Sequence, residues 1–299
     1  MGNALDVIII GGSYAGMSAA LSLGRSLREV LVLDNGKPCN RHTPYSHNFL
    51  TQDGKTPGEI SGISREQVMK YDTVKFRQAT AVRISGHPEG FEVETGDGEF
   101  LAARKIILAS GVKDICPEIP GFAECWGRSI IHCPYCHGYE IRNRATGILC
   151  NGEAAFEISM LVFNLTRNLT VFTNGEPDFS EEQREQFRRN EIHLIEEEIE
   201  EIIHRNGQIC KVLMKNGSEA VLDALYTKIP FEQNINCEAA GLELTGHGFI
   251  AIDRFHKTSR EGIFACGDNV TLMRSVANAV AQGSFTAAIV NRELSEERF

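Results

Sequence analysis

The chain is 299 residues long, room for two domains of ordinary size, and its composition (42% hydrophobic, 23% charged) is that of a soluble globular protein. A formal net charge of −10, from 40 acidic against 30 basic residues, argues against a nucleic-acid partner, because phosphate binding needs a concentrated basic surface. No apolar run reaches the ~20 residues that span a bilayer, the opening Met-Gly-Asn-Ala-Leu-Asp lacks the basic start and apolar stretch of a signal peptide, and nine cysteines, an odd number, do not read as a disulfide framework. No membrane contact and a cytoplasmic location are therefore expected.

Residues 6–10, Asp-Val-Ile-Ile-Ile, predict a buried parallel strand. Gly11-Gly12-Ser13-Tyr14-Ala15-Gly16 follows at once, then a helix over Met17–Leu27 and a second β-branched strand, Val30–Leu33, ending in Asp34. That is the spacing of a dinucleotide-binding βαβ unit. Gly11 makes the tight turn, Gly16 lets helix and strand pack closely, the helix N-terminus faces a pyrophosphate, and Asp34 can bond a ribose hydroxyl. Ser13 stands where the middle glycine of the fingerprint is usual. The competing reading of the same residues is an ordinary tight turn.

The polar stretch 40–52 reads as a loop over the cofactor, with Asn48 a candidate cofactor ligand and His42 and His47 solvated loop residues. Residues 79–84 and 90–95 alternate in polarity and predict a small antiparallel sheet inserted in the first domain. Lys105–Gly111 is a further buried strand, and its terminal Gly111 offers backbone amides near the cofactor.

Residues 113–127 carry Pro117, Pro120, Gly121 and Gly127, typical of a connection between domains. Cys133-Pro134-Tyr135-Cys136-His137 comes next. Two thiols two residues apart can close a small and easily reversed disulfide, and electron exchange is the usual reason to hold such a pair. The literal haem-attachment match belongs to exported proteins, and a zinc site needs a second ligand pair that is not evident. His137, or His132 instead, is the candidate proton carrier, since imidazole titrates near neutrality.

Thr146–Ala155 repeats the plan of strand, glycine turn and helix, and Asn168–Thr173 completes a second βαβ unit. Its first glycine is Cys150; only Gly152 and Ala155 survive of the motif. The segment 174–182 is acidic and has no arginine for a 2′-phosphate before Arg184, which argues against NADPH in the usual mode. Ser180–Gln183 is a capping box. Residues 196–201 read as a solvated face with an apolar stripe, and 214–229 as a hairpin and the last strand of this domain. A strand at 249–253 and another at 262–266 lead into Gly267-Asp268, where a bare backbone and a carboxylate suit a ribityl chain. Arg274-Ser275-Val276 then opens a helix reaching Leu294, whose amides can face a flavin ring.

Gly-X-X-X-X-Gly, Cys-X-X-Cys and Ala-Cys-Gly-Asp, in that order, resemble the low-molecular-weight thioredoxin reductases over essentially the whole chain. The resemblance implies an α/β protein of two Rossmann-like three-layer domains, the second inserted into the first: an FAD-binding domain at 1–114 and 244–299, and a nucleotide-binding-like domain at 115–243 carrying the dithiol. It also implies a homodimer, with Cys136 against the flavin and Cys133 exchanging with the substrate disulfide. His137 stands where the family usually has Asp, and Cys-Pro-Tyr-Cys-His is closer to the branch containing gliotoxin-type dithiol oxidases. The expected activity is FAD-dependent thiol–disulfide exchange with a small-molecule or protein dithiol. Its second redox partner stays open among oxygen, another flavin, ferredoxin and NAD(P)H, as does the alternative of a flavin redox sensor without turnover.

Overall fold

The computed structural model describes residues 5–299; residues 1–4, part of the stretch read above for a signal peptide, lie outside the described residues. Two compact units emerge. One comprises the chain up to Arg41, Phe49–Lys113 and Phe231–Phe299; the other comprises His42–Asn48 and Asp114–Pro230.

In the first unit, Leu5–Ile10 lies parallel between Val30–Asp34 and Phe100–Leu108; Val74–Gln78 extends the sheet on one side and Ile263–Ala265 pairs with Phe100–Leu108 on the other. The β-branched run is buried from both sides, as the absence of polar alternation predicts. Val7 and Ile9 pack with Ala19, Leu23, Val290 and Leu294 from the helices Tyr14–Arg25 and Val276–Glu296. Ile8 and Ile10 pack on the opposite face with Val93, Ile250 and Ile263. The hairpin Ala81–His87 and Gly90–Thr95 pairs antiparallel with the start of Phe100–Leu108. The two helices touch through bare backbone: a Cβ on Gly283 would stand 2.1 Å from the Ala15 carbonyl oxygen.

The second unit holds a five-stranded parallel sheet in the order His193–Ile195, Leu169–Phe172, Thr146–Leu149, Ala224–Thr227, Ile130–Ile131. The helices Gly152–Phe163 and Glu181–Arg189 contribute Ile158, Val162 and Phe187 to a core with Ile148, Val171 and Tyr226. A three-stranded antiparallel sheet, Ile199–Arg205, Gln208–Met214 and Glu219–Val221, supplies Ile202 and Val212 to a core with Phe172 and Leu225. Both units are thus α/β, with layers packed on a parallel sheet. No helix among the described residues is long and apolar enough to cross a membrane.

Two expectations change. The chain joins the first unit at Phe231, not at 244: Phe231–Gln233 pairs with Val112–Asp114, the Phe231 ring lies 4.7 Å from that of Phe249, and Cys237, Ala240 and Leu242 are buried in the first unit's core. Residues 196–201 form the expected solvated face with an apolar stripe, and they run into a strand: a bulge between Ile199 and Glu201 turns Ile199 and Ile202 to one side. Residues 249–253 form only isolated bridges, because Ile250, Ala251 and Asp253 donate to three separate partners, Asn269, Glu243 and Lys257.

Candidate functional site

Three strand ends of the first unit, Ile10, Leu108 and Ala265, lie side by side, and the chain turns away at each through Gly11, Gly111 and Gly267. All three glycines have positive φ (110°, 61° and 90°). This is the carboxyl edge of the sheet, where ligands of open α/β folds bind. A Cβ on Gly16 would meet the Gly11 carbonyl oxygen at 1.8 Å, so helix and turn meet with no room for a side chain. Ser13 is the N-cap of the helix Tyr14–Arg25, its hydroxyl makes no capping bond, and the first turn has no acid. The end of the helix dipole is left open to an anion. The Gly12 amide donates to Asp34 Oδ1 at 3.3 Å, which fixes the carboxylate at the mouth of the turn. On the facing segment the Gly267 amide donates to Gln282 Oε1 (2.8 Å), and Arg274 reaches Asp268 Oδ2 (3.5 Å) and Cys39 Sγ (2.8 Å). Ser275 is the N-cap of the helix that begins at Val276, accepting from the Asn278 amide. Cys266 is fully buried and its thiol is pushed up to about 12, so it acts as core and not as a redox group. These residues fit a dinucleotide. Asn48 belongs to the His42–Asn48 segment, which groups with the second unit.

In the second unit Cys133 and Cys136 form a disulfide with Cα atoms 5.3 Å apart. Cys133 caps the single helical turn Pro134–His137, and the Cys136 amide donates to its sulfur at 3.2 Å. Pro134 supplies a first-turn residue with no amide to satisfy. His137 is half-buried, and burial, helped by the charge of His47, pulls its pKa down to about 4. His132, the other candidate proton carrier, is exposed and tilted against Trp126.

Two further ionisable groups stand here: Tyr226, which the sequence did not mark, and His47, read there as a solvated loop residue and in the fold only 21% exposed. His47 Nε2 is 3.6 Å from Glu140 Oε1. Tyr226 is fully buried; its hydroxyl would lie 3.3 Å from a Cβ on Gly138, and burial followed by the charge of Glu140 raises its pKa. The only local signal was Glu140 three residues beyond His137.

The second glycine turn is occupied by the chain itself. Asn151 Oδ1 accepts from the amides of Gly152 (2.8 Å) and Asp178 (2.9 Å), while its Nδ2 donates to the Glu176 carbonyl (2.7 Å). Asp178 Oδ2 would lie 3.4 Å from a Cβ on Gly152, at the start of the helix where a phosphate belongs. Glu153, in the first helical turn, accepts from Gln183 Nε2 (2.7 Å). Cys150 Sγ accepts from the Lys228 amide (3.3 Å), and burial raises its pKa. Arg184 donates to the carbonyls of Pro177 (2.9 Å) and Phe179 (3.3 Å). A nucleotide phosphate would meet carboxylates here, and Arg184, the first arginine after the strand Leu169–Phe172, is turned to backbone carbonyls.

Residues 5–283 match the family model for pyridine nucleotide-disulphide oxidoreductases. The chain is 31% identical to thioredoxin reductase tcpT of Claviceps purpurea, over 98% of this chain and 95% of that protein. It is likewise 31% identical to thioredoxin reductase aclD of Aspergillus oryzae, over 97% and 96%. Among solved structures, an oxidoreductase from Agrobacterium tumefaciens superposes with a TM-score of 0.91 at 36% identity, over 98% of this chain and 99% of that one. The chain therefore belongs to the pyridine nucleotide-disulphide oxidoreductases, within their thioredoxin reductase-like flavoproteins, and is a flavin-dependent disulfide oxidoreductase.

Proposed function

We propose that this protein exchanges electrons between a substrate dithiol or disulfide and FAD through the Cys133–Cys136 pair, and that NADPH bound in the second unit is not the electron donor. The observation that supports this reading best is the contrast between two glycine turns: the first opens on an uncapped helix end, and the second is filled by Asn151 and Asp178.

Gly11, Ser13 and Gly16 would hold the pyrophosphate of FAD, Asp34 a ribose hydroxyl, and Asp268 the ribityl chain; Gly111, Gly267 and the start of the helix at Ser275-Val276 would line the rest, with Arg274 placed by Asp268. When bound, the flavin supplies a two-electron acceptor or donor for the cysteine pair.

In the oxidising direction a substrate thiolate attacks Cys133 Sγ, the Cys133–Cys136 bond breaks and Cys136 leaves as thiolate. The second substrate thiolate then attacks its own bridged sulfur and expels Cys133. Two electrons have entered the pair, and two protons have left the substrate. Reduction of a substrate disulfide is the same sequence reversed. The Cys136 amide favours the exchange by bonding the Cys133 sulfur.

The test is an anaerobic titration of the purified yellow protein with NADPH, NADH and a small dithiol, followed at the flavin band, and then admission of air. Bleaching by the dithiol and not by NADPH is expected. Bleaching by NADPH alone overturns the reading, and the speed at which colour returns in air reports whether oxygen is the acceptor.

A further inference from the structure

The exchange releases two protons for each dithiol oxidised, and the groups beside the pair divide sharply in their ability to hold one. His137, the neighbour in sequence, has a pKa of about 4 and stays neutral through the physiological range. Tyr226 is buried and shifted upward, so it does not give up its proton. His132 is exposed and set against Trp126. His47 differs from all three: a carboxylate, Glu140 Oε1, stands 3.6 Å from its Nε2. Glu140 follows Cys136 by four residues in the chain, which places the imidazole in the surroundings of the dithiol. The His47 side chain is largely covered, at 21% exposed, while that of Glu140, at 41%, stays open to solvent. An imidazole that has a carboxylate partner on one side and a reacting sulfur couple nearby is the arrangement general acid–base chemistry uses.

We propose that His47, held by Glu140, is the residue that takes up and returns the proton at the Cys133–Cys136 pair. This rests on the reading that the pair cycles with substrate. When a dithiol reduces the disulfide, one of its two protons re-forms the Cys133 thiol, the other moves to His47, and Cys136 remains as the anion that carries the electron pair onward. In the opposite direction His47 returns its proton to the substrate thiolate that leaves. Glu140 does not touch the reacting atoms; it is a positioning residue that gives the imidazolium its counter-charge.

The experiment measures reduction of the Cys133–Cys136 disulfide by dithiothreitol in the full-length flavoprotein, by rapid acid quench and mass spectrometric counting of free thiols, so that the readout does not pass through flavin colour. His47→Ala is expected to slow the step by ~100-fold, within the range for loss of a general acid–base group. Added imidazole should recover ~10-fold of that, which a merely structural role would not give. Glu140→Gln should slow it by ~10-fold and His137→Gln by less than either. A His47→Ala protein within about twofold of wild type, or one slowed but indifferent to imidazole, overturns the proposal. The parent reading is checked separately with Cys133→Ser: if that protein still turns the dithiol over, the exchange through this pair fails. If it is dead while His47→Ala is unimpaired, only the role of His47 falls.

Discussion

The backbone amide of Asp178 donates to the side chain of Asn151 at 2.9 Å, and the Asp178 carboxylate is thereby set against Gly152 at the head of a helix. In a working nucleotide site a phosphate stands there. Opening this turn should create affinity that the natural chain lacks. A Cys150→Gly, Asn151→Ser, Asp178→Ser variant is expected to bind NADH or NADPH measurably by calorimetry where the wild type shows no heat. Binding by the unaltered protein, with Asp178 in place, would contradict the occlusion.

Asn151 also caps the helix Gly152–Phe163, accepting from the Gly152 amide. Asn151→Ala should lower stability by ~1 kcal/mol, as loss of an N-cap usually does. Chemical denaturation measures this, and an unchanged midpoint would show that the cap carries no stability.

The mixed-disulfide step predicts an asymmetry between the two cysteines. Cys136→Ser should accumulate a covalent adduct of substrate thiol on Cys133, visible by intact mass. Cys133→Ser should accumulate none. The opposite pattern would exchange the two roles.

His137 charges more readily in the unfolded chain than in the folded one, because its folded pKa is depressed from 6.5 to about 4. Its neutral form matches the fold above pH 6.5, and protons bind preferentially to the unfolded state as the pH falls from 6.5 through about 4. Stability is therefore lost over that window, by up to ~3 kcal/mol from this group. His256, also depressed by burial, adds to it in the same direction. Thermal unfolding of wild type and His137→Gln between pH 7 and pH 4 should show the smaller acid loss in the variant. Parallel curves would mean that the ring is not desolvated.

Glycines separate cleanly by what surrounds them. Gly283→Ala drives a methyl into the Ala15 carbonyl and should cost ~1–3 kcal/mol. Gly62, inside the helix Pro57–Val68, has nothing within 4 Å of its Cβ position, so Gly62→Ala should stabilise by ~0.4–1 kcal/mol. Equal effects at the two positions would mean that the helix contact is looser than its geometry.

Both α/β units could be read from the chain because the first strand of each βαβ unit, Leu5–Ile10 and Thr146–Leu149, runs straight into a glycine-bearing turn and a helix, a signal that lies within ten residues. The edges were harder. Ile199 and Ile202 share a face only because a bulge lies between them, and bulges leave no mark in a polarity pattern. Asn151 and Asp178 were legible as a missing glycine and an acidic segment, but not as partners. The pairing of His47 with Glu140 was invisible, since it depends on the His42–Asn48 segment packing with a unit from which it is remote in sequence. Local chemistry is written in neighbours; the surroundings of a reacting group are written in the fold.

The Cys136 amide points at the Cys133 sulfur while the two sulfurs are bonded, and the same N–H is available to that sulfur once the bond opens and it carries negative charge. One donor thus serves both oxidation levels of the couple. Opening the bond therefore leaves the Cys133 sulfur its hydrogen-bond donor, and the charge that develops there meets a partner already in place.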